Sequence, residues 1–343
     1  MTPEQPFATG NWISARRQAK GLENLGHSVL IVPVLHEEKG LADRIGDFSP
    51  DVVNVLHAYR CGYPWLACPY SRARPWTVTL TGTDVNQGLH DPGQSPVILR
   101  ILAEAGAIIT INPLTREQLA LDFPEWRPKL HHVPPAVDFG QGRCDLRRRL
   151  DIPSSTVLFL HPAGLRPVKG NRDLLDMFDR VAPGQDCRLV FCGPVLDRDY
   201  AESFLQAVRE RPWAVYAGEI EPDKMTDVLR AADVVLGNSS SEGFSNSLQE
   251  AACLGVPILA RNIPGNRVAF QTGRQGLLYD SAEEFTRKAL DLLQQPELRR
   301  RLSRPMDPPQ TLIREAVMLD RIFRQVSGGK RPDFIAGGHH LLS

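Results

Sequence analysis

What this chain lacks narrows its function. Its six cysteines, at 61, 68, 144, 187, 192 and 253, include no Cys-x-x-Cys pair, and three lie inside apolar runs. This spacing argues against zinc and disulfides and for buried, reduced thiols in a cytoplasmic protein. No apolar run reaches the roughly 18 residues that a membrane-spanning helix needs, so no membrane span is expected. The opening Met1-Thr-Pro-Glu-Gln-Pro-Phe7 has no apolar centre of the kind a signal peptide carries. Net charge is absent too: 40 basic and 40 acidic residues cancel, which excludes a general nucleic-acid binder and leaves nucleic acid out of the expected partners. The short basic runs Arg147–Arg149 and Arg299–Arg301 sit in helix-like stretches and read as solvated helix faces rather than anion or membrane patches. His339-His340, in a Gly-rich tail, reads as surface rather than as a metal site. At 42% hydrophobic and 23% charged over 343 residues, the chain is a globular protein long enough for two domains with separate cores.

Strand-like and helix-like segments alternate throughout. A helix is expected over 14–26, with Ala15, Ala19, Leu22 and Leu25 on one face and Gly26 as its stop. Buried strands are expected at Val29–Val34, Val52–Leu56, Thr77–Leu80 and Ile108–Ile111, and Ser95-Pro96 reads as a cap followed by a first-turn proline. Pro134-Pro135 through Gly142 reads as a linker, after which the pattern restarts: Val157–Leu160, Arg188–Cys192 ending at Gly193-Pro194, Ala214–Tyr216 ending near Ile220, 233–236 and Val256–Ala260. Continuous apolar strands separated by helices indicate parallel sheets covered on both faces, hence an α/β chain of two doubly wound, Rossmann-like domains. The expected division is 1–140, 141–310, a helix at 311–326 crossing back to the first domain, and a flexible tail at 327–343. In such sheets ligands bind beyond the carboxyl ends of the strands, and every polar turn noted here follows a strand and can face the cleft between domains.

The densest signal is Glu242-Gly-Phe-Ser-Asn-Ser-Leu-Gln-Glu250, continuing to Pro257. An apolar strand precedes it. Ser245 can cap a helix carrying Leu248, Ala251, Ala252 and Leu254, and Gly255 and Pro257 end that helix. Free N–H groups at a helix N-terminus suit a phosphate, and carboxylates accept hydrogen bonds from sugar hydroxyls. The segment therefore describes a receptor for a nucleotide sugar. Glu250 also has a plainer reading, as a first-turn acid favoured by the helix dipole.

With Gly164-Leu-Arg166-Pro-Val-Lys169-Gly170 added, the chain resembles the family 4 glycosyltransferases of the GT-B fold. Thr9-Gly-Asn11, Leu56-His-Ala-Tyr-Arg60, Gly82-Thr-Asp-Val-Asn86 and Ala260-Arg-Asn-Ile-Pro-Gly-Asn266 are similar to its glycosyltransferase 1 domain-containing protein 1 group, with some likeness to the selenosugar synthases. The resemblance spans roughly residues 8–325. It implies that Arg166 and Lys169 hold a donor pyrophosphate, although an ordinary surface turn explains the same two residues. It further implies that Glu242 meets sugar hydroxyls, that the backbone of Phe244, Ser245, Asn246 and Ser247 meets sugar and phosphate, and that Glu250 binds ribose. Gly10, Asn11, Gly193 and Ile220 would complete the donor site, with Ile220 near the base and Gly10 allowing a close backbone approach. On the N-terminal side His57 and Asp84 are the candidates, although a lone His at a strand end is more often structural. Many relatives carry His where this chain has Thr81, so a base on this side is in question.

The implied reaction moves a sugar from a nucleoside diphosphate, UDP by family resemblance, to an unidentified acceptor with retention of configuration. No metal or other cofactor is expected, because cationic side chains can neutralise the diphosphate. Two rivals remain: a binding protein without turnover and a nucleotide-sugar 2-epimerase. One departure stands out. GT-B relatives open with an apolar strand, whereas here Pro3, Glu4, Gln5 and Pro6 precede Gly10. That strand is expected to be missing, with a start lying upstream as its explanation.

Overall fold

The computed structural model describes residues 1–4, 9–35, 40–308 and 310–328. His339, His340 and the rest of the tail beyond Gly328 lie outside the described residues.

The second half forms one parallel sheet of six strands: β7 (Val157–Pro162), β8 (Cys187–Cys192), β9 (Ala214–Tyr216), β10 (Val234–Gly237), β11 (Ile258–Arg261) and β12 (Gly276–Tyr279). Their order is β9-β8-β7-β10-β11-β12, the 3-2-1-4-5-6 arrangement of a doubly wound sheet. Alternate strand residues feed two apolar layers. Phe159, Leu189, Phe191 and Val234 pack beneath α3 (Asn171–Phe178) on one face, while Leu158, Leu160, Val190 and Val235 meet α4 (Asn246–Leu254) on the other. The strand order reverses direction between β7 and β10. In doubly wound sheets ligands bind beside such a point, and here the loops that follow these two strands flank it.

The first half carries β3 (Val53–Leu56), β4 (Trp76–Leu80), β5 (Ala107–Thr110) and β6 (Leu130–His132), parallel and in sequence order. The opening strand expected to be missing is present in short form: β1 (Thr2–Pro3) pairs in parallel with β2 (Pro33–Val34). Met1 O accepts from Leu56 N at 3.0 Å, so this piece lies against β3. Proline is tolerated because Thr2 N and Glu4 N, on either side of it, donate to Val32 O and Val34 O. With only two residues to pair against, the strand expected over Val29–Val34 shrinks to Pro33–Val34, and Leu30 is 43% exposed. Two boundaries also move. The first helix, α1, spans Gly10–Glu23 rather than 14–26. Ser95 lies inside the Ser95–Glu104 helix, and Asp91 bonds Gly93 N and Gln94 N ahead of it.

The last helix, α5 (Leu312–Ser327), packs on α1. Gly21 allows the approach, since a Cβ there would press on Ala316 and Leu312. Arg17 binds Glu315 through two hydrogen bonds (2.8 and 3.1 Å), and Glu315 also accepts from Ala136 N in the linker at 3.1 Å. Arg17 and Glu315 are both buried. Removing either alone would strand a buried charge, a cost of about 3–5 kcal/mol in such pairs.

Candidate active site in the interlobe cleft

The loop after β7 carries Arg166 in extended backbone, a short turn Pro167–Lys169, and Gly170 at φ +63°. The loop after β10 lies directly against it: Asn238 Nδ2 donates to Gly170 O at 2.7 Å, Ser240 N to Val168 O at 2.9 Å, and Tyr279 OH holds Asn238 Oδ1 at 2.5 Å. A side chain at Gly170 would collide with Asn238, so the turn requires glycine twice over, for conformation and for space. This packing aims Arg166 and Lys169 at the second loop. Lys169 Nζ forms an ion pair with Glu242 Oε1, which also accepts from Ser239 Oγ at 2.6 Å. Arg166 is half-buried, and its Nε is shielded without a hydrogen-bond partner. Burial weakens the hold of its guanidinium on the proton; Glu242 opposes that effect and Arg60 adds to it. His161, buried beneath the turn, is pushed down to about 4 by burial and stays neutral.

Helix α4 follows the second of these loops. Ser245 is its N-cap by position, but its side chain makes no cap bond and its N–H is engaged by Gly265 O at 3.3 Å. Ser245 is therefore not one of the free donors. Those are the N–H groups of Asn246, Ser247 and Leu248, which find no acceptor among the described residues. Phe244 packs against the core at its base. Glu250 is the fifth residue of the helix, so the first-turn reading does not hold. Its carboxyl is pushed up to about 7, chiefly by burial, with Arg17 lowering it and Asp138 raising it. It makes no hydrogen bond with a described residue.

Other expected donor residues are placed differently. Ile220 is 3% exposed and belongs to the core, so only its backbone can border the cleft. Gly193, at φ +145°, serves packing: a Cβ would strike Ala163, its N–H donates to Gly218 O, and its carbonyl accepts from Tyr216. Gly10 opens α1 with space around it, so close approach does not require glycine in this structure. Asn11, half-buried, follows in the first turn. Among the described residues, no three His, Cys, Asp or Glu side chains group as a metal site.

On the N-terminal side, His57 and Asp84 are structural in geometry. Asp84 is fully buried and accepts from the backbone N–H groups of Ala58, Thr81, Gly82 and Val85 at 2.8–3.2 Å. His57 adopts φ +76°; its Nδ1 accepts from Tyr59 N and Arg60 N, and its Nε2 lies 3.1 Å from Thr83 Oγ1. These bonds assign the proton to Nε2. Burial lowers its affinity for a second proton, with Asp84 opposing and Arg60 and Arg166 assisting. Neither residue has a free base to offer. Both hold the 57–60 and 81–85 turns, and the first of these presents Arg60.

Arg60, whose exposed side chain makes no bond with a described residue, was quoted within a motif but not recognised as a site residue. Its charge bears on Arg166 and His57 across the cleft. Two contacts were also missed. Asn86 Nδ2 donates to Glu242 O (3.0 Å) and Asn112 Nδ2 to Gly243 O (2.8 Å), while Gly82 and Gly243 pass backbone to backbone. The Asn112-Pro113 pair, just past β5 and opening α2 (Pro113–Asp122), was a legible cap signal. The interlobe bond was not.

A sheet switch point, two cationic side chains and free helix amides have the chemistry of an anion-binding site on a two-lobed α/β fold. Residues 143–305 match the family described as Glycosyl transferases group 1, and the two-lobed α/β fold is the GT-B fold of the structural neighbours. It is 26% identical over 303 residues to glycosyltransferase 1 domain-containing protein 1 of Xenopus tropicalis, covering 86% of this chain and 87% of that protein. Sucrose-phosphate synthase from Thermosynechococcus elongatus is similar in structure, with a TM-score of 0.69 at 17% identity over 96% of this chain and 94% of that one. So is Anabaena HepE, solved with UDP and glucose, with a TM-score of 0.67 at 15% identity over 90% and 87%.

Proposed function

We propose that the protein transfers a sugar from a UDP-sugar to an acceptor with retention of configuration and without a metal. The observation that carries this is the convergence of Arg166, Lys169 and the free amides of Asn246 and Ser247 on one crevice. A diphosphate entering there gives Arg166 the partner its shielded Nε lacks and competes with Glu242 for Lys169. Glu242, released, accepts hydrogen bonds from sugar hydroxyls, and Glu250 faces the ribose. Charge growing on the leaving diphosphate meets fixed cations and a helix N-terminus. The acceptor loses its proton to a leaving phosphate oxygen, which suits an N-terminal lobe whose His57 and Asp84 are already engaged. UDP as the nucleotide is supported by the complex of the Anabaena neighbour. The six unpaired thiols fit a cytoplasmic setting. Among the described residues no helix is long and apolar enough to cross a membrane.

A panel of nucleotide sugars in a thermal-shift assay tests the site, since a donor held by the folded state raises its melting temperature by mass action. UDP-sugars are expected to give the largest shifts, undiminished in EDTA, and the product from the best donor is expected to keep the donor's anomeric configuration by NMR. No shift with any nucleotide sugar would remove the proposal. Binding without transfer or hydrolysis would favour the rival of a non-enzymatic binder. Arg60→Ala should weaken UDP binding about tenfold, the scale of one charge-assisted hydrogen bond. Calorimetry reads this, and unchanged affinity would take Arg60 out of the site.

A further inference from the structure

A cavity of about 470 Å³ lies at the outer edge of the N-terminal lobe, between α2, the edge strand β6 and α5. None of the cleft residues lines it. Arg116 from α2 and Arg321 from α5 contribute exposed guanidinium groups, and His131 and His132 on β6 are half-buried between them. Leu130, Met318 and Ile322 supply an apolar wall. Glu117 is the one carboxylate among the lining residues, and it forms no ion pair with a described residue.

Four cationic or protonatable groups thus share one concavity with little to neutralise them. The Arg321 side chain makes no hydrogen bond or ion pair with a described residue, and among the described residues the Arg116 guanidinium makes a single 3.4 Å contact, from Nε to Leu130 O. His132 Nε2 is shielded from solvent and unpartnered. Structural charges usually find partners within the fold, and a cavity of this size is in the range of small-molecule sites. We propose that this cavity binds a phosphomonoester, with Arg116 and Arg321 gripping the phosphate beside the His131 imidazole, and the organic body resting on Leu130, Met318 and Ile322. A phosphate matches the donor set better than a carboxylate, because its several oxygens can meet two guanidinium groups and an imidazole at once. Burial together with Arg116, and for His131 also Arg321, holds both imidazoles below their ordinary affinity for protons. An arriving dianion reverses that balance, so binding takes up protons and strengthens as pH falls toward 6.

The test is isothermal titration of the full chain with inorganic phosphate at fixed ionic strength, in wild type and in Arg166→Ala, which weakens the cleft's anion grip. Binding is expected in both, with an enthalpy that depends on the buffer's ionisation heat because protons are taken up. Arg321→Gln, whose side chain supports nothing else among the described residues, should keep its melting temperature and weaken phosphate binding about tenfold. Glycerol 1-phosphate should bind more tightly than phosphate itself. The proposal fails if Arg321→Gln leaves affinity unchanged, if chloride at equal ionic strength produces the same heats, or if Arg166→Ala abolishes all binding. Because the readout is binding away from the cleft, it stands or falls independently of the transferase reading.

Discussion

Arg166→Ala is expected to lower kcat/KM by about two to three orders of magnitude while the fold persists, the scale seen when one preorganised donor to transition-state charge is lost. The separation of the two effects follows from the local structure. The loop is held by its backbone and by neighbours: Leu165 is fully buried, Ser240 N bonds Val168 O, and Asn238 clasps Gly170. The Arg166 side chain contributes to none of these bonds. It places a half-buried guanidinium beside Arg60, with Glu242 as counter-charge. Without substrate this arrangement costs stability, so the alanine variant should melt at the same temperature as wild type or slightly above. Arg166→Lys should recover only part of the rate, because an ammonium group cannot make a planar, two-pronged contact with a phosphate. Steady-state kinetics with the best UDP-sugar, alongside thermal melting, decides the matter. A rate within about threefold of wild type would place Arg166 outside the reaction and with it the electrostatic account.

Most of the fold was legible because parallel sheets write themselves as apolar runs. Val157–Leu160 and Arg188–Cys192 are recognisable as strands buried on both faces, and the turns that follow them had to be at the cleft. The opening strand was misread for a definite reason. Pro3 looked incompatible with a sheet interior, yet the flanking N–H groups of Thr2 and Glu4 make the pairing, which no composition rule conveys. Residue type foretold which side chains come together better than it foretold their hydrogen bonds. Arg166, Lys169 and Glu242 do meet. Ser245 has the chemistry of a cap, but Gly265 from a loop twenty residues on takes its N–H. Glu250 falls on a helical face whose neighbours, Arg17 and Asp138, come from the other lobe and the linker. The roles of His57 and Asp84 depend on positive φ at His57 and Gly82, which fold backbone N–H groups around them. Side-chain spacing does not encode that curl, and so Arg60, the residue it presents, was passed over.

Asp84→Asn tests the positioning role of this carboxylate most sharply. The carboxylate is fully buried, and no ion pair to it is present among the described residues; backbone dipoles stabilise it instead. Oδ1 accepts from Thr81, Gly82 and Val85, and Oδ2 from Ala58 and Thr81. An amide must point its NH₂ at one of these sets of donors. Turned toward Ala58 it does the least harm, yet it still leaves buried N–H groups unpaired and facing another donor. Each such loss costs about 1–3 kcal/mol, so a destabilisation of about 2–4 kcal/mol is expected, and a fall in melting temperature of about 5 °C or more. The turn that loosens also carries Gly82 and Asn86, which meet Gly243 and Glu242 across the cleft, so turnover should fall as well. The pH profile separates the two possible causes. A carboxylate that exchanges protons with substrate would take its own limb of the kcat/KM profile away when replaced. A positioning carboxylate leaves the profile's shape intact while stability drops. Loss of an acidic limb without loss of thermal stability would return Asp84 to the chemistry and overturn the assignment made from its hydrogen bonds.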